Sequence, residues 1–159
     1  MKHEPYVITP VPLEYLPSTW ADIERVLAPA VKTAGGRIGM DDLFLAAADG
    51  STVVWLVLEG LEVVAAFTTR VAEYPKSKTL VIDWVGGKKL FRWIDAAVSV
   101  IKDQARANGC PRIEGYGRPA WTRALQRHGV VPEYVAYRME MSGGYGSQRA
   151  VEHDPDRHQ

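Results

Sequence analysis

The chain has 159 residues, 47% of them hydrophobic and 24% charged, which suits one soluble domain with a real core and is too short for two ordinary ones. Lys and Arg total 19 against 19 Asp and Glu, so no net field draws the protein toward nucleic acid or an acidic membrane. The single cysteine, Cys110, excludes an internal disulfide, and no Cys/His spacing suggests zinc.

The opening stretch MKHEPYVITPVPLEYLP carries charges and prolines where a signal peptide would need an apolar run. No segment reaches the ~18 consecutive apolar residues of a membrane span. The expectation is a soluble cytoplasmic protein with no membrane contact.

Tyr6-Val7-Ile8 reads as a short strand stopped by Pro10 and Pro12. Ser18 or Thr19 then caps a helix that places Trp20, Ile23, Leu27 and Ala30 on one face. Gly35, Gly36 and Gly39 end that unit, and Asp41-Asp42 opens a second short helix through Leu43, Phe44 and Ala47. Asp49-Gly50 turns the chain into a β-branched and aromatic run, Thr52–Glu59, and Gly60 joins this run to Glu62–Val71 as a hairpin. Pro75 marks the next turn, and Lys78–Val85 is a third strand of the group.

Gly86-Gly87 precede a long helix to about Asn108, with Leu90, Ile94, Ala97, Val98, Ile101 and Ala105 as its apolar stripe and Gly109 as its left-handed stop. A strand at Arg112–Gly117, a helix at Pro119–His128 stopped by Gly129, and a strand at Tyr134–Met141 complete a single domain over 1–141. The remainder, 142–159, is nearly free of apolar side chains and reads as a flexible polar tail. Three short-linked strands followed by strand–helix–strand crossings predict an α/β fold, a mixed and mostly antiparallel central sheet with helices on both faces.

The candidate chemical groups follow from this layout. Asp83 lies inside the apolar run Leu80–Val85, where an unpaired carboxylate is costly, so it needs a partner, and Arg112, Arg118 or Lys88 is expected to serve. Glu114 stands on the neighbouring strand, and either carboxylate is a candidate general base or half of a structural ion pair. Gly86-Gly87-Lys88-Lys89 is either a short anion cradle at a helix start or a tight turn with two solvated lysines. Lysines at a helix N-terminus oppose the helix dipole, which points to something anionic nearby. Between Gly115 and Trp121, Arg118 and Trp121 are candidate partner-binding residues, because Arg and Trp are enriched at binding hot spots. Alternatively, the glycines shape a bend and Trp121 fills core. His128 reads as a helix-end residue and Cys110 as a small buried hydrophobe.

The element order from Tyr6 to Met141, with Gly109 and Gly129 as helix stops, resembles the GCN5-related N-acetyltransferase (GNAT) fold. That resemblance implies an acetyl-coenzyme A site at the start of the long helix, in a loop of pattern Arg/Gln-x-x-Gly-x-Gly/Ala. Counting back from Ala105 and Gly109 places Lys89 at the first position of that pattern and Arg92 and Ile94 at its glycines. The tyrosine that protonates the leaving thiolate in many such enzymes falls on Leu125, and the usual helix-opening Asn on Arg118. The pattern Gly-Cys…Gly-Arg-x-x-Trp-x-Arg-x-Leu…Gly is similar to small GNAT-like proteins of phages and prophages, among them internal virion proteins of short-tailed phages.

Two functions follow as expectations. One is a protein with a degenerate acetyl-CoA site and a virion- or assembly-associated role, in host cytoplasm or virion, whose partners are phage structural proteins or its own copies. The other is an active N-acetyltransferase that moves an acetyl group from acetyl-CoA to an amine. Scattered and balanced charges argue against a nucleic-acid partner.

Overall fold

The computed structural model describes residues 5–141; the tail expected over 142–159 lies outside them. Five strands form one sheet in the order β1-β2-β3-β4-β5: β1 (Tyr6–Pro10), β2 (Val53–Glu59), β3 (Glu62–Tyr74), β4 (Ser77–Gly87) and β5 (Arg112–Gly115). Each neighbouring pair is antiparallel except β4–β5, which is parallel. Helices α1 (Leu16–Val31) and α2 (Met40–Ala48) lie before the β2–β4 meander, α3 (Leu90–Ala107) links β4 to β5, and α4 (Trp121–Leu125) follows β5. The expected fold class is therefore the observed one.

Alternation in the strands builds two cores, one on each sheet face. Leu56, Val63 and Ala66 meet Ile23, Val26 and Leu27 of α1 and Leu43 of α2 on the first. Trp55, Val57, Val64 and Phe67 meet Trp93 and Ala97 of α3 on the second. There the rings of Trp55, Phe67 and Trp93 stack in series, with centroids 5.9 and 6.5 Å apart. Trp55 Nε1 donates to Thr69 Oγ1 at 2.9 Å and Trp93 Nε1 to the Lys88 carbonyl at 2.8 Å, so both indoles are buried with their one donor satisfied.

Several boundaries differ from the sequence reading. The first helix begins earlier, and Ser18 and Thr19 do not cap it. Both hydroxyls donate backward to the Tyr15 carbonyl from inside the helix. Asp42 performs the helix-start role expected at α2, its carboxylate accepting the Gly39 N–H at 2.9 Å. The Gly109 and Gly129 stops adopt φ of 68° and 79°, the left-handed conformation that glycine allows at least cost. The last helix is shorter than expected, five residues followed by a single tighter turn at Gln126–His128.

The strand expected at Tyr134–Met141 is not formed: residues 129–141 belong to no helix or strand and pair with no other segment among the described residues. Local β-propensity supplies the side chains of a strand there, but a strand also needs a partner edge, and propensity cannot provide one.

Candidate functional site

The parallel ladder between β4 and β5 runs only from Thr79/Arg112 to Ile82/Gly115. Beyond it β4 continues to Gly87 with β3 on one side and, among the described residues, no strand on the other. The two strands part at an irregularity in β4. Phe67 pairs with Val85 and Thr69 with Ile82, so Asp83 and Trp84 together oppose Thr68. Such a bulge bends a strand and re-aims its side chains. The Trp84 N–H is held by Thr68 Oγ1 at 3.3 Å, and its ring packs on the α1 side.

Asp83 has none of the expected partners. Arg70, its cross-strand neighbour on β3, takes both carboxylate oxygens, Nε to Oδ2 at 2.5 Å and Nη2 to Oδ1 at 3.2 Å. The pair is bidentate, the geometry in which guanidinium and carboxylate bond most strongly. That hydrogen bond to Asp83 raises the Arg70 pKa further above its ordinary value. Arg70 escaped the sequence reading because its apposition to Asp83 depends on the hairpin register across a bulge. The available signal was period 2, which places Thr68, Arg70, Ala72 and Tyr74 on one face.

Glu114 accepts from the Tyr74 hydroxyl at 3.1 Å and the Thr79 hydroxyl at 3.4 Å, with Arg112 Nη1 at 4.0 Å. The bond to Glu114 holds the Tyr74 phenol above its usual pKa. The nearby Tyr116 phenol is also raised, chiefly by desolvation and then by Tyr134. Arg70–Asp83 and Tyr74–Glu114 thus form two separate hydrogen-bonded pairs beside the β4–β5 ladder, and each carboxylate is already engaged.

The start of α3 is the place a coenzyme phosphate would need. A methyl on Gly86 would run into the Val26 carbonyl oxygen of α1, with Leu27 Cα at 3.4 Å. One on Gly87, at φ 117°, would run into Ala65 Cα and the Val64 carbonyl of β3. Both glycines are thus explained by the chain's own close packing, without a ligand. The Lys88 N–H continues the sheet by donating to the Val64 carbonyl at 2.9 Å. Lys89 is the one non-glycine residue at positive φ among the described residues, at 63°, and its ammonium meets Glu59 Oε1 at 2.6 Å. Glu59 is thus an anion beside Lys89, and its hydrogen bond raises the Lys89 pKa. Arg92 and Ile94 stand in the first turn and a half, where the phosphate loop would need glycine, and Ile94 is buried.

Leu125 lies at the end of α4, and Arg127 and His128 in the turn that follows reach the Asp95 carboxylate of α3 at 2.6 and 2.9 Å. Trp121 folds back over Gly117, with Cδ1 3.2 Å from the position a Cβ would take, and is half-buried. Arg118 is exposed. The glycine there gives room to the Trp121 indole. A cavity of about 280 Å³ lies between Ser51, Thr69, Arg70, Leu80, Gln104 and Asn108; it shares Arg70 with the Asp83 pair but touches none of the predicted site residues.

A mixed sheet whose parallel pair parts beside a long crossover helix, flanked on both faces, is the GNAT fold. No protein-family model matches the sequence, and no curated protein does. Solved structures do match. A predicted acetyltransferase with acetyl-CoA from Clostridium acetobutylicum has a TM-score of 0.62 at 10% identity, over 88% of this chain and 99% of its own. A GCN5-related N-acetyltransferase from Ralstonia eutropha JMP134 has a TM-score of 0.63 at 18% identity, over 85% and 98%. An aminoglycoside N-acetyltransferase in complex with CoA has a TM-score of 0.56 at 12% identity, over 86% and 95%. At such identities the likeness establishes the fold, and a fold is compatible with many activities.

Proposed function

We propose that this chain is a GNAT-fold protein that works by binding rather than by acetyl transfer, in a virion- or assembly-associated role of a phage or prophage. The observation that carries the loss of coenzyme binding is the junction from β4 to α3. Gly86 and Gly87 are required by packing against α1 and β3, and Lys89 is held by Glu59. The phage assignment rests on the resemblance of the Gly109–Gly129 pattern. Exposed Arg118 and the adjacent Trp121 are the partner-facing residues in this reading.

A second reading, an active N-acetyltransferase, is favoured by the parting of β4 and β5 and by the absence of a side-chain cap on α3. In that reading Glu114 and Asp83 are the bases for an amine substrate, and Asp83 must first release Arg70.

Calorimetric titration with acetyl-CoA, paired with a thiol-release assay over a panel of amines, separates the two. The binding reading expects no heat and no thiol, together with co-sedimentation of the chain with assembled particles. Micromolar coenzyme binding with amine-dependent thiol release would overturn it. Gly87→Trp is a poor control here, because β3 leaves no room for the indole and the variant would lose its fold.

A further inference from the structure

The buried stripe of α3 changes character near its end. Ala97 and Ile101 pack on the sheet, and the same helix face continues at Gln104 and Asn108, which are polar and half-buried. They stand where the sheet gives out. Strand β2 begins at Val53, opposite Thr69, whereas β3 runs on to Tyr74, so residues 70–74 are paired with β4 alone. The cavity of about 280 Å³ lies at that notch, with Gly50 and Ser51 of the α2–β2 turn also lining it. It is beside Leu80, near the start of β4, while the place expected for a coenzyme phosphate is at the other end of that strand, by Gly86 and Gly87.

The polar groups of the lining are neutral and partly uncommitted. Thr69 is 1% exposed; its Oγ1 accepts the Trp55 indole N–H, and its own proton meets no acceptor among the described residues. Asn108 donates from Nδ2 to the Gln104 backbone carbonyl at 2.8 Å, which leaves its Oδ1 to accept. The Gln104 carboxamide makes no hydrogen bond among the described residues and offers a donor and an acceptor side by side. Ser51 Oγ donates to the Ala46 carbonyl at 3.1 Å and keeps its lone pairs. The one ionic side chain in the lining, Arg70, is held by both oxygens of Asp83.

A charged ligand would lose water there and find no free counter-charge. A wholly apolar one would leave the Thr69 hydroxyl and the Gln104 amide unpaired. A neutral ring with an amide edge meets both demands. A carboxamide takes such an edge through two hydrogen bonds, as it does when it reads a base, and the aliphatic Val53 and Val71 suit the ring itself. The volume falls just below the ~300–1,000 Å³ of sites for drug-sized molecules, so it suits a single ring. We propose that this chain binds a small neutral ligand of the lactam or pyrimidine-base class in the notch between β3 and the end of α3, with Gln104 on its amide edge. The site stands whichever reading of the activity is correct, since it lies apart from the β4–α3 junction.

Uracil is the probe, followed on the full chain by two-dimensional nitrogen–proton NMR. Saturable shifts are expected in the Gln104 side-chain amide, the Ser51 and Val71 backbone amides and the Trp55 indole N–H that rests on Thr69, with a dissociation constant of about 1 mM. Dimethylated uracil with both N–H groups blocked, and orotate, which adds a carboxylate, are each expected to bind at least about tenfold more weakly. Gln104→Leu preserves helix-forming tendency and should weaken uracil binding about tenfold in a chain that keeps its dispersed spectrum. No saturable shift up to about 10 mM uracil would overturn the proposal. So would equal binding of either analogue, or an unchanged affinity in Gln104→Leu.

Discussion

Gly86→Ala distinguishes a glycine kept for the fold from one kept for a phosphate. The added methyl would run into the carbonyl oxygen of Val26 in the middle of α1, with Val26 C at 3.1 Å and Leu27 Cα at 3.4 Å. The obstacle is helix backbone, which cannot rotate aside as a side-chain tip can. Helix α1 would have to lift off β4, disturbing the contacts of Val26 and Leu27 beneath it. Overpacking of this kind costs about 1–3 kcal/mol, and a backbone obstacle places the expected loss near the upper end. For a domain of this length about 3 kcal/mol lowers the thermal midpoint by roughly 6–12 °C. Differential scanning calorimetry with and without acetyl-CoA reads both quantities. A midpoint within about 2 °C of the parent, combined with loss of an acetyl-CoA response that the parent shows, would refute the packing argument and return Gly86 to a ligand site.

Asp83→Asn removes the charge that Arg70 grips. With side chains 37% and 19% exposed, the pair lies between surface and core, and the expected loss is about 1 kcal/mol, or roughly 2–4 °C. An unchanged midpoint would mean that the pair contributes nothing net. The two raised phenols supply a pH prediction. A tyrosine with a raised folded pKa binds its proton more tightly in the native state. Its stabilisation is therefore complete below the ordinary value of about 10 and is lost as pH rises through the folded pKa. Ultraviolet titration is expected to show Tyr74 and Tyr116 ionising later than an unperturbed tyrosine, with Tyr74→Phe removing one late step. A spectrum in which every tyrosine titrates together near pH 10 would contradict this.

Much of the architecture is legible in the sequence because its signals are local. The turns at Gly50 and Gly60 and the helix stops at Gly109 and Gly129 all adopt positive φ, a conformation that glycine advertises within a few residues. The apolar stripe of α3 is likewise local, and Trp93, Ile94, Ala97 and Ala105 are its buried members. What the sequence hides depends on register or on close approach between distant segments. Arg70 meets Asp83 only because β3 and β4 pair across a bulge. Gly86 is required by a helix sixty residues earlier in the chain, near Val26. The glycine pair therefore looks the same in sequence whether it cradles a phosphate or admits a helix. Glu59 is similarly invisible as the partner of Lys89, since the strand end and the helix start meet only in three dimensions.

The division of the sheet into a meander and one added parallel strand also fixes the order in which it can assemble. Strands β2, β3 and β4 follow one another through two tight turns, so their pairing closes short loops and can nucleate early. The β4–β5 ladder is four pairs long and must wait for the whole of α3 to cross over. By the same asymmetry β5 is the first strand to detach in a local opening, while the amides of Ala65–Thr69, buried at the centre of β3, exchange only when the whole sheet does.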